Sequence, residues 1–330
     1  MTSNELPSLL DRRRMLAGAA ALIAGAGAAA AQQPAPPAKG PRVWLDLDQK
    51  ELDDAYDQSK YAPNIEQILG RYATSSDITR ARLGAPQRVA YGPTPVEMLD
   101  IFRAHAANAP VMVFVHGGAW RTGSAKNYAF PAENFVHAGA HYVALDFTNV
   151  IESGGDLMPM IEQVRRGIAW VAKNAASFGG DPNRIYVSGH SSGGHLGGCA
   201  LITDWQKDFG LPRDVIKGAV LACGMYDLKP VRLSARSNYV KFTDAVEDAL
   251  STQRHLDRLV TPLTVLHGTL DTPEFRRQTR DFAAAVKAAG KPIEFIIGDG
   301  YNHFELMETL ANPFGPFGRA ALDRMKLAPA

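Results

Sequence analysis

Cysteine is nearly absent, at two residues in 330, Cys199 and Cys223. A disulfide-stapled scaffold is therefore excluded. Both cysteines lie in apolar stretches, and a chain of this size needs no staple, so two buried free thiols are expected. Charge excess is also lacking. Thirty-five Lys+Arg nearly cancel 34 Asp+Glu, and the one block of like charge is Arg12-Arg13-Arg14. That balance argues against a nucleic-acid partner, which would show as a basic excess. No Cys/His cluster has the spacing of a zinc site, so no metal is expected. No internal repeat is present. A strongly apolar run of the length that spans a bilayer is missing too.

What is present at the N-terminus reads as an address. Arg12-Arg13-Arg14-Met15-Leu16 precedes an Ala/Gly-rich run from Ala17 to Ala31 that ends in an Ala-x-Ala site, Ala29-Ala30-Ala31. A charged start, a mildly apolar stretch and small residues at the end describe an export signal over residues 1–31, of the twin-arginine type. The run is too short and too rich in Ala and Gly for a stable membrane anchor. Export to the periplasm or beyond is expected. Removing residues 1–31 takes away three arginines, Glu5 and Asp11 and leaves no net charge. Residues 32–44, rich in proline, read as a linker, which leaves 45–330 as one catalytic domain.

Hydrophobic residues, at 46%, and charged residues, at 21%, suit a globular protein with ample material for a core. Residues 45–83 read as polar helix, a cap or flanking segment. Arg88–Tyr91 and Val96–Phe102 flank Gly92-Pro93-Thr94-Pro95, a hairpin signal. Apolar strand-like runs then recur at Val111–Val115, Tyr142–Leu145, Arg184–Ser188, Ile216–Ala222, Leu263–His267 and Ile293–Ile297. Helical patterns fall between them, at 126–138, 158–177, 192–205, 243–258 and 275–289, with another at 304–311. This alternation predicts an α/β fold with a mostly parallel, doubly wound sheet. The stretch Tyr226–Leu259 exceeds what a crossover needs and reads as a small internal cap.

The chemistry starts at Gly189-His190-Ser191-Ser192-Gly193-Gly194. This is G-x-S-x-G directly after a strand and before a helix, the context in which a sharp turn exposes a nucleophilic hydroxyl. The register selects Ser191, which has glycine at minus two and plus two. A serine needs a base to take its proton. In this arrangement the partners follow in the order Ser, acid, His. His303 follows the last strand. Asp271 follows the preceding one, where parallel sheets handle ligands. Glu274 and Asp227 are reserve acids. Negative charge developing on a substrate carbonyl needs donors. His116-Gly117-Gly118-Ala119-Trp120 follows Val111–Val115, where an oxyanion loop belongs. The backbone N–H of Gly117 or Gly118, with that of Ser192, is assigned to it. His116 is expected to shape this loop, and His190 and His195 to pack around the elbow. Trp120, Tyr226 and Phe304 are candidates to line an apolar pocket, with core packing the competing role.

With these residues in view the chain resembles the kynurenine formamidase (arylformamidase) branch of the α/β-hydrolases, near the carboxylesterases, over roughly residues 50–315. The resemblance rests on His116–Trp120, Gly189–Gly194, Thr272-Pro273-Glu274-Phe275, Asn302-His303-Phe304-Glu305 and the stretch Ser237–Leu259. It implies a Ser–Asp–His triad, hydrolysis of small esters or aryl formamides, and no cofactor. Expected export departs from that branch, whose metabolic substrate is broken down in the cytoplasm. The expected partner is a small-molecule ester or amide. Three alternatives share the fold or the constellation: an inactive binding protein, a peptidase and an acyltransferase.

Overall fold

The computed structural model describes residues 39–329. The expected signal at 1–31 and most of the linker lie outside the described residues. Regular structure is already present within the stretch assigned as linker. A short strand β1 (Arg42–Trp44) pairs antiparallel with β2 (Leu47–Asp48), so the last three residues of the assigned linker belong to the folded part. Asp48 then caps α1 (Gln49–Ala55) with a reciprocal capping box to Glu51. A longer helix, α2 (Ile65–Leu83), follows.

The hairpin is β3 (Gln87–Ala90) and β4 (Met98–Phe102). After it come β5 (Ala109–Val115), α3 (Ala132–His137), β6 (His141–Leu145), α4 (Met158–Asn174), β7 (Gly180–His190) and α5 (Ser192–Leu201). The remainder is α6 (Trp205–Phe209), β8 (Ile216–Ala222), α7 (Leu228–Leu233), α8 (Asp244–Ala249), β9 (Leu263–Gly268), α9 (Pro273–Ala288), β10 (Ile293–Gly298), α10 (His303–Glu308) and α11 (Pro316–Met325). Helix α11 went unread in the sequence.

Eight strands form one sheet in the order β10-β9-β8-β7-β5-β6-β4-β3. β5 through β10 pair in parallel with their neighbours, and β4 and β3 close one edge antiparallel. β5 is apolar throughout and every residue in it is buried, as a strand covered on both faces by helices must be. Its Phe114 stacks on Tyr142 and touches Tyr128. The strand order reverses at β5. β6 lies on one side of it, and β7, reached through α4, on the other. Loops leaving neighbouring strands at such a point diverge and open a crevice at their carboxyl ends. The elbow after β7 and the glycine loop after β5 sit at that crevice. Among the described residues, no helix is long and apolar enough to cross a membrane.

Because Phe114 is fully buried at the centre of the sheet, Phe114→Ala should lower unfolding free energy by about 3–5 kcal/mol. Urea melts read by far-ultraviolet circular dichroism measure this.

Candidate active site

The turn at Ser191 is forced. Ser191 has φ +59°, a left-handed value that a residue with a side chain adopts at a cost of roughly 1–2 kcal/mol. The neighbouring glycines make room for it. A Cβ on Gly189 would lie 2.3 Å from the Gly193 carbonyl oxygen, and one on Gly193 would lie 2.0 Å from that of Val115. Backbone therefore packs on backbone, and the first turn of α5 is seated against the end of β5. The Ser191 N–H donates to the Ala222 carbonyl, which ties the elbow to β8.

His303 opens α10 just past β10. Its N-cap residue Asn302 accepts from the N–H groups of Phe304 and Glu305, and Glu305 accepts in return from the N–H of Asn302. This rigid first turn aims the imidazole. His303 Nδ1 donates to Asp271, at 3.0 Å from Oδ1 and 3.1 Å from Oδ2. That bond puts the Nδ1 proton in place and leaves Nε2 as the acceptor. Phe275 meets the His303 ring edge-on at 4.9 Å.

Asp271 is fully buried. Burial alone would raise its pKa. The His303 charge and the hydrogen bonds from His303, the Cys223 thiol and the Thr272 N–H outweigh burial and hold the carboxyl below the usual range. The reserve acids are occupied elsewhere. Glu274 is buried against Arg277 and the Tyr56 hydroxyl. Asp227 caps α7 and pairs with Arg254.

Ser191 and His303 open onto one cavity of about 450 Å³. Gly118 and Ala119 line it, and Gly117 does not. Gly117 is wedged against the His190 carbonyl and the Ser191 Cβ. Of the two candidate loop glycines, Gly118 therefore faces the cavity, with Ala119 beside it, a residue the sequence did not single out. The Ser192 N–H begins α5, where the N-terminal end of a helix favours negative charge. The rest of its lining includes a wall from Asp57, Gln58, Ile65, Leu69 and Tyr72, together with Arg121, Asn127 and Tyr128. A larger depression of about 550 Å³, lined by Arg165, Thr203 and Leu250 among others, contains none of the candidate catalytic groups.

Of the three expected pocket aromatics, Phe304 alone lines this cavity. Trp120 is buried behind the loop with its indole hydrogen-bonded to His195. Tyr226 is fully buried and stacked on Phe282 at 4.0 Å. Both are core residues, with their rings packed against other buried side chains and shielded from solvent. The internal segment 226–259 does not line the cavity either. It braces the wall from behind. The buried Arg236 guanidinium lies 5.8 Å from the Trp120 ring and donates to the Tyr56 carbonyl and to Gln58 Oε1.

The other histidines take supporting places. His116 stacks between Phe147 and Tyr128, and its Nδ1 donates to the Gly117 carbonyl. His190 Nε2 donates to the His303 carbonyl at 2.9 Å. Burial, with the neighbouring His303, pushes the His190 pKa down to about 3. Burial pushes His195 down to about 4. His190, Cys223 and His303 bring three metal-capable atoms within 4.8 Å of one another, a grouping invisible in the sequence. Each is already engaged, His190 with a carbonyl and the other two with Asp271. Both cysteines are buried free thiols.

Comparisons with known proteins agree on the class of molecule. The family described as BD-FAE matches residues 99–217, and the prolyl oligopeptidase family matches residues 162–311. Kynurenine formamidase of Danio rerio is 30% identical over 282 residues, covering 82% of this chain and 94% of the relative. Esterase LipC of Mycobacterium tuberculosis is 30% identical over 244 residues, covering 67% and 60%. Esterase 2 of Thermogutta terrifontis, solved with propionate bound, superposes with a TM-score of 0.62 at 23% identity, covering 75% of this chain and 97% of that one.

The two neutral histidines set a pH dependence. Unfolded, each takes up a proton below its ordinary value near 6.5; folded, His190 resists until about 3 and His195 until about 4. The unfolded chain binds more protons in that interval, so stability must fall as pH falls from 6.5 towards 4, by up to about 1.4 kcal/mol per pH unit for each histidine. Urea unfolding at pH 7.5, 6 and 5 should show the midpoint dropping. A flat profile contradicts the neutral assignment.

Proposed function

Because the chain belongs to the kynurenine formamidase-like branch of the α/β-hydrolases and is a serine hydrolase, we propose that it cleaves small carboxylic esters or aryl formamides through Ser191, His303 and Asp271. Two facts support the reading together. Ser191 and His303 line one cavity, and His303 is hydrogen-bonded through Nδ1 to a buried carboxylate. His303 Nε2 takes the Ser191 proton as Oγ attacks the substrate carbonyl carbon. The oxyanion accepts hydrogen bonds from the backbone N–H groups of Gly118 and Ser192. Collapse breaks the bond to the alcohol or amine, which leaves with the proton from His303. Water, deprotonated by the same imidazole, attacks the acyl-enzyme and releases the acid, formic acid in the case of a formamide. Asp271 keeps the Nδ1–H tautomer and stabilises the imidazolium.

Ser191→Ala should reduce kcat on p-nitrophenyl acetate by at least about a thousandfold, and Asp271→Asn by roughly 10³–10⁴, with both proteins folded. Near wild-type turnover by Ser191→Ala overturns the assignment. The kynurenine formamidase of Danio rerio supports a formamide substrate and LipC an ester. Side-by-side kcat/KM for aryl formamides and short-chain aryl esters decides between them. Export is part of the same proposal, supported by Arg12-Arg13-Arg14 and Ala29-Ala30-Ala31. Cell fractionation of the full chain should recover activity outside the cytoplasm, and replacing the three arginines by lysine should retain it inside.

A further inference from the structure

The loop after β5 holds two residues in a conformation they do not prefer. Ala119 has φ +54° and Trp120 φ +61°, in the region where a Cβ clashes with the backbone. Such a geometry persists only where the surroundings over-determine it. Here the surroundings are α5. The Trp120 backbone N–H donates to Ser192 Oγ at 3.2 Å, and its indole Nε1–H donates to His195 Nδ1 at 3.2 Å. The indole and imidazole meet edge-on, 5.3 Å between centroids and 86° between planes.

The tautomer of His195 is set on its far side. Nε2 lies 3.0 Å from the Leu250 carbonyl oxygen. A carbonyl only accepts, so Nε2 carries the proton and Nδ1 presents a lone pair to Trp120. The imidazole is fully buried and stays neutral, since burial disfavours its charged form. The clamp therefore spans from the segment before β9, through α5, to the loop after β5. Its two acceptors sit one and four residues beyond Ser191. One clamp point holds the loop's backbone and the other its side chain.

We propose that the Ser192 hydroxyl and the His195 imidazole are positioning residues for the oxyanion loop. They hold Trp120, and through it the Gly118–Ala119 backbone, at a fixed offset from the nucleophile. The inference rests on the hydrolytic reading above. Neither group touches the reacting atoms. Preorganised donors act on charge that appears in the transition state, so loosening them should lower kcat and leave ground-state binding nearly unchanged.

The test compares Ser192→Ala, Trp120→Phe, His195→Gln and His195→Leu with wild type, using p-nitrophenyl acetate and a fluorophosphonate that labels the nucleophile. Ser192→Ala keeps the backbone N–H at that position and deletes only the clamp point on the Trp120 backbone. Ser192→Ala, Trp120→Phe and His195→Leu should each lower kcat and the labelling rate by about ten- to a hundredfold, with KM within about threefold. His195→Gln keeps an acceptor and a donor and should recover part of what His195→Leu loses. The double variant Trp120→Phe/His195→Leu should fall no further than the worse single, because both delete one hydrogen bond. Thermal unfolding confirms that each protein is folded. Should His195→Leu fail to fold, the other three variants carry the test. Values of kcat and labelling within twofold of wild type in folded Ser192→Ala and Trp120→Phe overturn the proposal. So does a loss confined to KM. Ser191→Ala separates the two levels: if it abolishes turnover while the clamp variants are neutral, the positioning role fails alone; if it retains turnover, the hydrolytic reading itself fails.

Discussion

The site depends on one close approach of backbone to backbone. Gly193, in the first turn of α5, sits so near the end of β5 that a Cβ there would lie 2.0 Å from the Val115 carbonyl oxygen. Val115 is the last residue before the loop His116–Trp120, and Gly193 is two residues after Ser191. Ser191 and this loop therefore share a single rigid joint. Protein interiors deform little and transmit strain, so the left-handed backbone at Ser191, Ala119 and Trp120 is held rather than relaxed. The remaining groups arrive from strands further along the sheet, and each is fixed locally: Asp271 by the turn after β9, His303 by the Asn302 cap.

Electrostatics follow from how deep these groups lie. Asp271 stays ionisable in a buried site because His303, Cys223 and the Thr272 N–H all direct hydrogens at it. His190 and His195, equally deep but without a carboxylate, are held neutral by burial and serve as directional hydrogen-bonding groups. Three buried histidines of one chemical type thus take different roles according to the partner each ring nitrogen finds.

Much of this was legible in the sequence. The β5, β7, β8, β9 and β10 runs are apolar and bounded, so their period and order predicted a parallel sheet, and Gly189-x-Ser191-x-Gly193 sat in the required strand–turn–helix context. The long helices α4 and α9 also matched their patterns. What escaped was decided by tertiary placement. Trp120 and Tyr226 resemble pocket aromatics by position in the chain, yet both side chains are packed into the core. Ala119 could not be chosen from composition, since it reaches the cavity through the path of the loop and carries no reactive side chain. The cavity wall at Asp57–Tyr72 had no local signal beyond polar helix, because its role arises from packing against α10 across more than two hundred residues of chain. Helix α11 lies beyond the last motif and offered only a short amphipathic pattern.

That wall is fastened by few polar links. The Tyr72 hydroxyl donates to the Phe304 carbonyl, Asn64 joins Asn302 and Glu305, and Arg71 pairs with Glu308. These anchors lie on or beside the helix that His303 opens, and Arg236 adds one to Gln58 from the segment 226–259; none falls on the elbow or on the loop after β5. Changes between Asp57 and Tyr72 can therefore reshape one part of the chamber while Ser191 and the loop after β5, which line another part of it, stay untouched. One part of the chamber and the groups at its floor are thus held by separate fastenings.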